Sequence, residues 1–125
     1  MKALRWLGAI GAFALMIGEL WRSWGAGRHI LFILDDQFAG LLMLAGVWAM
    51  RRDSIRARAL FASGWGVAAG MLYGSFFGKV IDPASAQPGN WDVGVLTALL
   101  GVAFAISIGG LVACIAIPPD KAGPN

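Results

Sequence analysis

Apolar residues fill this chain in four long runs, and the charged residues collect in the short gaps between them. The first run covers about residues 3–22 and reads LRWLGAIGAFALMIGELW at its centre. The second covers about 33–50, and its uncharged part, QFAGLLMLAGVWAM, is only fourteen residues long. The third spans about 58–80, from Arg58 to Val80. The fourth spans about 92–117, through VGVLTALLGVAFAISIGGLVACIAI to Pro118-Pro119, where a helix cannot continue. A helix rises 1.5 Å per residue, so ~20 mostly apolar residues cross ~30 Å of hydrocarbon. Each run therefore predicts a membrane-spanning helix.

The fold class that follows is an all-α integral membrane protein, a bundle of four transmembrane helices with short loops. One membrane domain covers residues 1–125, and 118–125 form a polar tail. The segment DPASAQPGNW is rich in Pro, Gly and Asn and makes the turn between the third and fourth spans. Asn90 is the expected N-cap of the fourth helix. The N-terminal MKALRWLGAIGAFALMIG also resembles a secretory signal. Its small-x-small pattern comes only around Gly25 and Gly27, after the charged Glu19 and Arg22, so the segment is expected to stay as the first span.

Composition agrees with lipid as the main solvent. Of 125 residues, 58% are hydrophobic and only 14% charged, and the mean hydropathy is +0.71. The net charge of +3 does not point to nucleic acid, because the Lys and Arg residues lie at the ends of apolar runs. A single cysteine, Cys114, rules out an intrachain disulfide.

Charge placement sets the expected orientation. Lys2, Arg5, Arg51, Arg52, Arg56, Arg58 and Lys121 fall on one side of a four-span chain, against Arg22, Arg28 and Lys79 on the other. The positive-inside rule then predicts a multi-pass protein of the inner (plasma) membrane with both termini in the cytoplasm. Trp6 and Trp48 fall near the inner ends, and Trp21, Trp24 and Trp91 near the outer ones.

Glycine recurs every fourth residue in the third span, at Gly66, Gly70, Gly74 and Gly78. The fourth span repeats the spacing with Gly101, Ala105 and Gly109. Such stripes let helix backbones approach closely in lipid. They are expected to pack the two spans together in a glycine zipper, or to pack on a second copy or another membrane protein.

Candidate chemistry gathers at the outer side. Glu19 lies near the end of the first span, Asp35 and Asp36 open the second, and Arg22, Arg28, His29 and Lys79 share their side. One reading is structural: Glu19 pairs with Arg22 three residues on, while Asp35 and Asp36 occupy the cap and first turn of the second helix. The other reading is functional: Glu19, Asp35 and Asp36 converge, cannot all ionise freely, and carry a proton or bind a cation.

A single histidine with scattered carboxylates has no diagnostic metal spacing, so no metal and no cofactor is expected. Thr97 and Ser107 are expected to return their hydroxyls to the backbone one turn earlier. No serine–histidine pair, phosphate loop or metalloprotease motif occurs, and the chain is not read as an enzyme. The leading expectation is an accessory or scaffold protein acting through glycine-mediated helix packing. The alternative is a small proton- or cation-linked transporter or channel using the outer carboxylates.

Overall fold

The computed structural model describes residues 1–119; residues 120–125, which include Lys121 and most of the expected polar tail, lie outside the described residues. Four long helices make up the bundle: α1 (Lys2–Ser23), α2 (Ile30–Ala49), α3 (Ile55–Ile81) and α4 (Val93–Ala116). A single 3-10 turn, Pro83–Ser85, interrupts the loop between α3 and α4. Each helix is long and apolar enough to cross a membrane, so the chain is a multi-pass membrane protein. Large side chains such as Trp6, Phe13, Phe38 and Ile115 stand exposed on the outside of the bundle, where lipid is their solvent.

The helix starts follow local chemistry. Ser54 caps α3 by accepting from the Ala57 amide at 3.1 Å. The α4 cap is Asp92, which accepts from the Val95 amide at 3.0 Å, and not Asn90. Asn90 is drawn away because its carboxamide is engaged by α1. The start of α2 also differs from expectation. It lies at Ile30, capped by His29 Nδ1 on the Leu31 amide at 3.2 Å. Asp35 and Asp36 therefore stand five and six residues beyond the first helical residue, past the first turn in which the helix dipole acts. They are not caps.

Neighbours in sequence are neighbours in space: α1 packs on α2, α2 on α3, and α3 on α4, while α1 and α4 touch at only a few positions. The core centres on Phe61 and Trp65 of α3, 0% and 2% exposed, with ring centroids 5.8 Å apart. Small residues on the facing helices admit these rings. A Cβ on Gly46 would come 2.6 Å from Phe61 Cα, and one on Gly64 would come 2.9 Å from Met43 Cα. The α2–α3 crossing therefore requires glycine on both helices. Gly110 lies under the Trp65 indole and Gly101 under the Phe76 ring, which brings α3 and α4 together.

The regular stripe has a different place. Around Gly66, Gly70, Gly74 and Gly78 no atom of another helix lies within 4 Å of a built Cβ, and the same holds for Gly109. Ala105 is exposed as well. The reason is angular. Gly66 follows the buried Trp65 by one residue, about 100° around the helix, so its row points away from both α2 and α4. Of the expected packing residues only Gly101 sits in a contact between helices of this chain.

At the end of the bundle that carries the N-terminus, named the inner end after the charge-based expectation and its opposite the outer end, Arg58 ties α3 to the end of α4. Its guanidinium grips Asp53 at 2.7 and 2.8 Å and donates to the carbonyls of Cys114, Ile117 and Pro118. The Cys114 and Ile117 carbonyls lie at the end of α4, where no further helical turn supplies a donor. Arg5 Nε likewise reaches the Val47 carbonyl at 3.2 Å, joining α1 to α2.

Candidate functional site

The outer end of the bundle brings together most of the polar residues singled out in the sequence. Glu19, 4% exposed, is the centre. Its carboxylate accepts from Ser23 Oγ at 2.8 Å, pairs closely with Arg28 Nη1, and lies 3.6 Å from Arg22 Nη1. Arg28 also donates to Ser23 Oγ at 3.0 Å and stands over the Phe32 ring, 5.7 Å from its centroid. Such charges are tolerated away from water because each meets an opposite charge and a hydrogen bond. The Glu19–Arg22 pair follows from spacing along one helix. The Glu19–Arg28 pair crosses the α1–α2 turn and needs that turn's shape, with Gly25 and Gly27 at φ 68° and 70°.

The remaining members divide. Asp36 on α2 reaches the Glu19 carboxyl, and Asp35 and Arg22 lie near enough to act on it electrostatically. Lys79 on α3 is 9% exposed, donates weakly to the Ser75 carbonyl at 3.4 Å, and sits in the field of Arg22, Arg28, Glu19 and Asp36. Asp35 is exposed, and its Oδ1 accepts from the Asp36 amide at 2.7 Å. His29 is exposed and spends its Nδ1 on the α2 cap, outside the cluster. Among the described residues no three His, Cys, Asp or Glu side chains are grouped to hold a metal ion.

The loop between α3 and α4 closes over this end. Asn90 Nδ2 donates to the Trp21 and Trp24 carbonyls at 2.8 and 2.7 Å, and its amide donates to the Arg22 carbonyl at 3.1 Å. Trp91 Nε1 reaches the Gly18 carbonyl at 3.2 Å. In return Arg22 donates through Nε and Nη2 to the Gln87 carbonyl at 2.8 and 2.5 Å. Gly89, at φ 59°, passes so close to the Arg22 carbonyl that no side chain would fit. The loop thus supplies donors to the last turn of α1, which the helix leaves unsatisfied.

Below the loop, the weak contact between α1 and α4 leaves a partly open slot of about 680 Å³. Most of its wall is apolar. Glu19, Arg22 and Asp36 line its outer end, and Trp65 and Ser107 line it deeper. Trp65 Nε1 is buried and has no hydrogen-bond partner among the described residues. Thr97 returns its hydroxyl to the Val93 carbonyl at 2.7 Å, as its sequence context predicts. Ser107, 4% exposed, does not, and its hydroxyl meets no partner among the described residues.

Sequence reasoning missed the slot and its deeper polar atoms. A serine and a tryptophan inside apolar runs give no sign that they face one gap. No protein-family model matches the chain, and no curated protein or solved structure matches it either.

Proposed function

We propose that this chain is a small proton- or cation-linked carrier of the inner membrane, with both termini in the cytoplasm. One observation carries the reading. Asp36 meets Glu19 carboxyl to carboxyl in the wall of the open slot, and no cation among the described residues lies within ion-pair distance of it. Two carboxyl groups in contact hold a proton or a cation between them, and exchanging that ion for a solute is the chemistry of a coupled carrier. The groups facing Asp36 are Glu19 and Arg22 from α1, Asp35 from α2 and Lys79 from α3. Their charges set how readily the ion leaves. The seven-to-three distribution of Lys and Arg supports the orientation.

Ion flux in proteoliposomes tests the proposal. Wild type is expected to pass protons or monovalent cations down a gradient, and Asp36→Asn to lose that flux while still inserting. Flux unchanged in Asp36→Asn would remove the carboxyl pair from the pathway and the proposal with it.

A second reading, an accessory protein that packs against a second copy or another membrane protein, has one observation in its favour. The Gly66–Gly78 row is left uncovered by the chain's own helices. Gly70→Ile would block that face without touching the bundle. If the particle size in detergent and in nanodiscs is the same for wild type and Gly70→Ile, this second reading falls.

A further inference from the structure

We infer that the slot between α1 and α4 binds a lipophilic organic cation, an amine or quaternary ammonium on an apolar body that also carries a hydrogen-bond acceptor. The inference rests on the carrier reading and names its solute. Its basis is the set of polar groups in the wall of the slot and the charge they present together.

At the outer end, the charged side chains lining the slot are Glu19, Asp36 and Arg22, two acids against one base. Arg22 is already engaged, by the Gln87 carbonyl through Nε and Nη2 and by Glu19 through Nη1. Arg28 holds Glu19 and does not line the slot. The group left to meet a ligand is the Asp36 carboxyl, so the complementary head is a cation. An anionic head would face two carboxylates and a guanidinium with no free donor on Nε or Nη2. Trp21 and Trp91 also line this end, and an indole ring favours a cation over neutral polar groups.

Deeper in, the wall of the slot includes Trp65, only 2% exposed, whose Nε1 is buried and lacks a partner among the described residues. Ser107, one turn before the Gly110 on which Trp65 rests, offers a second free hydroxyl. An unpaired buried donor costs about 1–3 kcal/mol, which a ligand oxygen that displaces the packing over it would recover. Asp36 lies six residues into α2 and Ser107 fourteen into α4. With the outer helix ends as reference, helical rise sets the two about 12 Å apart in depth. A cation at one end and an acceptor at the other fit an elongated organic molecule, and the volume of about 680 Å³ lies in the usual ligand range of about 300–1,000 Å³.

The route in is lateral. The loop ties Asn90 and Trp91 to α1 over the outer mouth, whereas α1 and α4 are barely in contact below it. A solute that already partitions into lipid reaches Asp36 from the bilayer.

The test uses the full chain in lipid nanodiscs with two fluorescent probes that share a dansylamidoalkyl body. One ends in trimethylammonium and the other in sulfonate; the sulfonamide oxygens serve as the acceptor. The cationic probe is expected to bind saturably and at least about ten-fold more tightly than the anionic one, with Asp36→Asn removing most of that preference. Trp65→Phe, which keeps the ring and removes the N–H, is expected to weaken binding about three-fold. Gly11→Leu supplies a readout independent of charge. Gly11 lines the slot with no atom within 4 Å of a built Cβ, so leucine there fills the space without displacing a neighbour. It is expected to abolish binding.

Equal binding of the two probes would overturn the inference, and so would affinity unchanged in both Asp36→Asn and Gly11→Leu. The two proposals fail separately. Selective binding without ion flux leaves the solute site standing and removes the carrier; flux with no probe binding does the reverse.

Discussion

The two ends of this bundle solve the same problem in opposite ways. At the inner end the cations reach backbone: Arg58 meets three carbonyls at the end of α4, Arg5 meets the Val47 carbonyl, and Arg51 lies over the Trp48 ring at 4.3 Å. Among the described residues, Asp53 is the carboxylate paired with Arg58 there. At the outer end the charges turn inward and meet each other, with Glu19 at 4% and Lys79 at 9% exposed. Inner charges finish helix ends beside water. Outer charges occupy the end of a slot. Finishing a helix needs only donors in the right place, whereas burying matched acids and bases at the end of an open space adds a cost that helix ending does not require.

The comparison breaks most sharply at Arg28. Replacing it by methionine leaves the Glu19 carboxylate buried, with Arg22 at 3.6 Å as its remaining counter-charge. The expected loss is about 3 kcal/mol, read as reduced resistance to denaturation in mixed micelles. The double variant Glu19→Leu/Arg28→Met removes both charges and is expected to recover most of that stability. If Arg28→Met alone is neutral, the outer cluster is wet rather than buried, and the two ends do not differ.

Much of the fold was legible because lipid imposes a simple rule. Four apolar runs of membrane length gave α1 and α4 to within a residue at each end. The outer candidate residues were legible as a group for the same reason: charge inside an apolar run must be explained. What the sequence could not convey was direction around a helix. Gly66, Gly70, Gly74 and Gly78 are evenly spaced, yet close approaches fall elsewhere, at Gly46 on α2, Gly64 on α3 and Gly110 on α4 among others. Each of those three lies opposite a particular backbone or ring on another helix, and single-helix periodicity carries no such information. The α2 start was misplaced because His29 capping is a weak signal beside two adjacent aspartates. The slot depends on a contact that α1 and α4 fail to make, which no local pattern records.

The smaller expected effect is at Arg58. Its side chain is 13% exposed and its partner Asp53 12%, so water at the inner interface can replace part of what Arg58→Met removes. Hydrogen bonds to charged groups contribute about 1.5–3 kcal/mol when buried, and the partial exposure argues for about 1.5 kcal/mol here. Lysine should not restore it. A single ammonium cannot reproduce the paired contacts at 2.7 and 2.8 Å to Asp53 while also reaching the α4 carbonyls. The discriminating readout is amide exchange. Arg58→Met should raise exchange near the start of α3 and the end of α4 and leave the outer loop unchanged, whereas Arg28→Met should act on the α1–α2 turn. Loss spread evenly over both ends in either variant would mean that the bundle melts as one unit and that its ends are not independent devices.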